Sequence, residues 1–152
     1  MDNYPFTVIA VDFDGTIIKR GDFPKAEHPI PGAVEALKKF MSVGKDKFRF
    51  VLWSSRDEKD TKTNCYKPMI EFIEKNGLKF DAINDDNIKE YKNDGIVSRK
   101  IIADCYIDDL GYPARDETEI IDMWKRVDAV ADAFISIYGT KELEQNKEQQ
   151  NG

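Results

Sequence analysis

Two aspartates separated by a single residue, Asp12 and Asp14, stand at the end of an apolar run, Phe6-Thr7-Val8-Ile9-Ala10-Val11, and lead into Gly15-Thr16. In an extended chain, side chains two apart point the same way, so both carboxylates converge on one small volume. Their repulsion makes an ionised pair costly unless a cation or a proton intervenes. Asp, Gly and Thr also form ordinary turns, and a bare Asp-Gly would need no chemistry. The whole D-x-D-G-T after an apolar strand is far more specific.

Two further polar clusters close apolar runs in the same way, Ser54-Ser55-Arg56 and Asp108-Asp109, and Lys100 stands just ahead of the last such run. Carboxylates, a hydroxyl and an ammonium are the groups that phosphoryl transfer through a carboxylate nucleophile would use. Each has a plainer role available. Ser54 could cap a turn, Arg56 could form a solvated salt bridge, and Lys100 competes with Lys89, Lys92 and Arg99. A second acidic pair, Asp85-Asp86, could be a metal ligand at the rim or a polar turn.

The elements that must position these groups alternate. β-Branched, apolar segments predict strands at 6–11, 48–53, 80–83 and 103–107. Helical spacing appears after Pro31-Gly32 in Val34, Leu37, Phe40 and Met41, and again over 61–75 in Met69, Ile70, Phe72 and Ile73. Pro68 falls within the early turns of that second helix or kinks it. A third helical stretch runs from about Asp116 to Tyr138, as one helix or two. The interval 17–31, with its glycine and three prolines, reads as a loop or flap, and 84–98 reads as a polar loop with a helical turn. Alternating strands and helices predict a single Rossmann-like α/β domain with a central parallel sheet flanked by helices. Ligands of such sheets bind outside the carboxyl ends of the strands, where the polar clusters gather.

The order D-x-D-G-T, Ser54 after the second strand, Lys100, then Asp108-Asp109 after the fourth strand resembles the haloacid-dehalogenase-like (HAD) superfamily of phosphohydrolases. The resemblance spans residues 6 to about 112. It implies that Asp12 is the nucleophile, becoming a transient aspartyl phosphate, and that Asp14 protonates the leaving oxygen and then deprotonates water. Ser54 and Lys100 would bind the phosphoryl group, with Ser55 and Arg56 beside them. Mg²⁺ would be held by the Asp12 carboxylate, the Asp14 carbonyl and Asp108. In a sheet ordered 3-2-1-4, Asp85-Asp86 stand two places from Asp12, so Asp108 is preferred as the ligand, while Asp109 supports the site or caps the following turn. Both intervals that carry a cap domain in larger family members are loops of modest length here, which is similar to the capless group. An open site leaves two arrangements, a large substrate or a homo-oligomer in which a second copy covers the opening.

The chain has 152 residues, enough for one domain with a real core, and residues 140–152 form a polar tail expected to be disordered beyond a 1–139 domain. A formal net charge of -6 opposes non-specific attraction to nucleic acid and to anionic membrane. Cys65 and Cys105 suit core or boundary positions, not a disulfide framework or zinc site, and His28 in its Pro-rich stretch suits a surface loop. No signal peptide or apolar span is visible, and a reducing cytoplasm is the expected compartment. The expected activity is a Mg²⁺-dependent phosphomonoester phosphatase. Its alternatives are a nucleic-acid end phosphatase, which the charge disfavours, and a receiver-like phospho-acceptor module, in which the acidic pair would precede the acceptor aspartate.

Overall fold

The computed structural model describes residues 5–85, 101–110 and 116–141. Their order is β1 (Thr7–Val11), α1 (Ala33–Met41), β2 (Phe48–Leu52), α2 (Tyr66–Lys75), β3 (Ala82–Ile83), β4 (Cys105–Ile107) and α3 (Glu117–Tyr138). The four strands form one parallel sheet in the order β3-β2-β1-β4, as the sequence predicts.

β1 is central, and its alternation explains why. Ile9 and Val11 join a core shared with Leu37 and Phe40 of α1, Met69 and Phe72 of α2, and Trp124 of α3. Val8 and Ala10 point to the opposite face, where Phe6, Val51 and Ile101 bury them. A strand covered on both faces must be apolar at every position, and β1 is apolar but for Thr7 at its start.

All four strands are shorter than predicted, β1 and β2 by one residue and β3 and β4 by two; ahead of β3 and β4 an aspartate side chain takes one bond of the ladder. Asp81 takes the Phe50 N–H on its carboxylate at 2.8 Å, and Asp104 takes that of Val8 at 2.8 Å. Helix α2 begins five residues later than its periodicity suggests. Asp60 accepts hydrogen bonds from the Lys62 and Thr63 amides, and Asn64 adopts a left-handed φ of 51°, so the segment before Cys65 is a run of turns. Pro68 is the third residue of α2, within the first turn, where its missing N–H costs no intrahelical bond. The third helical stretch is one helix of 22 residues, capped by Asp116, which accepts from the Glu119 N–H at 3.0 Å.

Between β1 and α1 the chain forms a flap with a 3-10 turn at Arg20–Asp22. Ile30 donates to the Ile17 carbonyl and Lys19 to that of His28, closing its base. His28 is exposed and meets Asp22 at 2.7 Å, a loop-stapling role. Cys65 is buried, Cys105 is exposed, and both are free thiols. No helix among the described residues is long and apolar enough to cross a membrane.

Candidate active site

The register of the sheet brings the sequence clusters together. Val11 pairs with Leu52 on one side and with Ile107 on the other, so Asp12, Trp53 and Asp108 emerge at one level. The ladder continues one step further: Asp12 donates its N–H to the Ile107 carbonyl at 2.9 Å, and Trp53 donates to Val11 at 2.8 Å.

Asp12, Asp108 and Asp109 each offer a carboxylate oxygen, and these atoms lie within 4.8 Å of one another. The Thr16 hydroxyl links two of the three residues: it donates to Asp12 Oδ2 at 2.8 Å and accepts from the Asp109 N–H at 2.9 Å. Thr16 is itself fixed from the core, because Trp124 of α3 donates its indole N–H to the Thr16 carbonyl at 2.7 Å. Gly15 lies at φ 79°, and a Cβ there would overlap the Asp109 carboxylate. Only glycine permits both that backbone and that approach. Asp109 is buried and ion-paired with the exposed head of Arg20, from the 3-10 turn of the flap.

Crowding these carboxylates has an electrostatic cost. Burial pushes the Asp12 carboxyl up from 3.8 to about 7; the Thr16 hydroxyl opposes the rise, and Asp108 and Asp109 add to it. Burial also raises Asp108, with Asp109 adding to the rise and the Leu110 N–H opposing it. Three closely spaced oxygen donors with surplus negative charge could hold a metal ion. Asp109 thus belongs to the acidic cluster, beyond the supporting or capping role expected of it.

Asp14 turns away from that cluster. Its two oxygens accept from Arg56 Nη2 at 2.7 Å and Nε at 2.9 Å, a bidentate pair. Arg56 is fully buried, and its other three N–H groups go to the carbonyls of Pro24, Lys25 and Cys65. All five guanidinium donors are therefore spent on protein oxygens, leaving none for a phosphate. The sequence places Arg56 beside the phosphate or in a solvated salt bridge; the structure makes it the post that ties Asp14, the flap and the start of α2 together.

Ser54 and Ser55 lie where the motif order puts them. Asn84, at the end of β3 with a left-handed φ of 52°, accepts the Ser54 N–H at 2.7 Å and donates to the Arg56 carbonyl at 3.0 Å. Ser54 Oγ accepts from the Arg56 N–H at 3.1 Å, which leaves its O–H as a donor. A cavity of about 480 Å³ opens over these groups, walled by Asp12, Asp14, Ser54 and Ser55, with Arg20, Phe23, Trp53 and Leu110 around them. Asp85 is exposed beyond β3 and outside the acidic cluster. Lys100, its rivals Lys89, Lys92 and Arg99, and Asp86 lie outside the described residues.

Thr16, Arg20, Asn84 and the full part of Asp109 are the site residues that sequence reasoning missed. Thr16 was readable as part of D-x-D-G-T, while Arg20 and Asn84 act across the fold and carry no local signal.

No family model matches the chain, and no curated protein matches it. Among solved structures it is similar to a conserved protein from Bacteroides thetaiotaomicron, at 36% identity and a TM-score of 0.57, over 79% of this chain and 90% of that one. With identity at that level over most of both chains, this protein belongs to the same family as that bacterial protein.

Proposed function

We propose that the chain is a Mg²⁺-dependent phosphohydrolase of the HAD type, cleaving phosphomonoesters through an aspartyl phosphate. The observation that carries this reading is the meeting of Asp12 with Asp108 and Asp109 at the carboxyl ends of β1 and β4, in one cavity with Asp14 and Ser54. Asp12, Asp108 and Asp109 would hold the metal, which supplies the positive charge that lets a carboxylate approach a phosphate dianion.

The chain's own residues account for the remaining steps. An Asp12 oxygen attacks phosphorus as the ester P–O bond breaks, and the departing oxygen takes its proton from Asp14. Water then attacks the aspartyl phosphate and gives a proton back to Asp14, releasing phosphate and restoring Asp12. Both Asp14 oxygens pair with Arg56, so Asp14 carries a proton only where that pair opens, at a cost of several kcal/mol. The Ser54 hydroxyl donates to a phosphoryl oxygen, and Lys100 offsets charge on the same group.

Phosphate release from a broad phosphomonoester panel, with and without Mg²⁺, tests the reading. Release that needs the metal and disappears in Asp12→Asn is expected. A folded protein that releases nothing from any ester would refute it.

A further inference from the structure

The upper wall of the cavity is apolar in a way that the phosphate chemistry does not require. Phe23 is 46% exposed and Leu110 is 77% exposed, and both line the same opening with Trp53. Single apolar residues are ordinary on a surface. Three on one cavity, above a charged floor, match the usual build of a small-molecule site, apolar walls with a few placed polar groups.

Both rings are held from outside the opening. The Arg56 guanidinium lies 5.3 Å from the Phe23 centroid, and Arg56 is fixed by its five hydrogen bonds. Trp53 meets Tyr106 edge-on at 5.7 Å, and Tyr106 is anchored through its hydroxyl to the Ile101 carbonyl and the Ala103 N–H. Such preorganised faces lose little freedom when a ring settles on them.

We propose that the substrate's leaving group is a flat aromatic ring, an aryl or benzylic alcohol, received on the rings of Phe23 and Trp53. This rests on the phosphohydrolase reading for the phosphate end alone.

Phosphonates test the ring subsite without turnover, since their P–C bond is not cleaved. With Mg²⁺ present, calorimetry compares benzylphosphonate, cyclohexylmethylphosphonate and 2-hydroxyethylphosphonate. The flat ring is expected to bind roughly three- to tenfold tighter than the puckered one, the range of an aromatic contact, and tighter still than the hydroxyethyl compound. Phe23→Leu and Trp53→Leu, which keep apolar bulk but remove the ring, are each expected to erase most of that preference and leave the hydroxyethyl compound unchanged. Equal affinity for all three compounds, no binding of any, or a uniform loss in both variants overturns the proposal. A ring preference in a protein that hydrolyses no ester would sustain the subsite and sink the phosphohydrolase reading; hydrolysis without ring preference would do the reverse.

Discussion

Asp12 is where function and stability oppose each other most directly, and Asp12→Asn measures the opposition. Asparagine keeps the shape and can still accept from the Thr16 hydroxyl, but carries no charge beside Asp108 and Asp109. The folded-state carboxyl titrates near 7 against 3.8 in the unfolded chain. Between those values the folded protein binds more protons, so Asp12's contribution to stability is full below the lower value and lost as pH rises through the upper one. Three pH units at 1.36 kcal/mol each set an upper bound of about 4 kcal/mol, and sharing of the repulsion among three carboxylates reduces it to about 2–4. In EDTA near pH 8, Asp12→Asn is therefore expected to be more stable than the wild type by about 2–4 kcal/mol, roughly 5–15 °C in Tm for a domain of this size. By about pH 5 the wild type is largely protonated at Asp12, and the gap narrows to about a third. Urea unfolding followed by circular dichroism at both pH values reads this directly. Mg²⁺ is expected to stabilise the wild type at pH 8 and to stabilise Asp12→Asn far less. A gap of zero at pH 8, or one that does not change with pH, would show that burial and repulsion do not act on Asp12 as described.

Arg56→Met leaves Asp14 and three carbonyls without their donors, and denaturant unfolding is expected to show a loss of about 3–5 kcal/mol, the cost of breaking a buried pair. Thr16→Val removes the partner of the Asp109 N–H and of Asp12 together; a loss of about 1–3 kcal/mol by thermal unfolding is expected, with weaker Mg²⁺ binding by calorimetry. Gly15→Ala must relieve both a φ of 79° and an overlap with Asp109, so calorimetry is expected to show Mg²⁺ binding largely lost even where circular dichroism shows the fold retained.

What the sequence made legible follows from what is local. β1 announces itself because a strand buried on both faces has no room for polar residues, and D-x-D-G-T announces itself because its turn, its glycine and its carboxylates lie within five positions. The sheet order came with the resemblance to the HAD superfamily, not from the spacing of the strands. The start of α2 was not, because apolar spacing says nothing of the Asp60 turn and the Asn64 backbone that precede it. Arg56 was legible as a site residue and illegible as to its partners, which come from positions 14, 24, 25 and 65. Burial of a guanidinium is decided by where four separate segments meet, and no window along the chain contains them.

The two described arginines of the site differ in what it costs to part them from their carboxylates. Arg56 is fully buried with every donor used, so separating it from Asp14 exposes an uncompensated charge and costs several kcal/mol, about 3–5 by the behaviour of buried pairs. Arg20 reaches Asp109 with a side chain that is 64% exposed, and solvent compensates it readily if the pair opens. A divalent cation entering among Asp12, Asp108 and Asp109 competes with Arg20 for one carboxylate, while Arg56 is no part of that contest. Arg20→Ala should therefore leave stability nearly unchanged in Mg²⁺ and lower it in EDTA, where the guanidinium pairs with Asp109. Equal loss of stability in both buffers, measured by urea unfolding, would mean that Arg20 is a fixed part of the scaffold like Arg56 and not the group that a cation displaces.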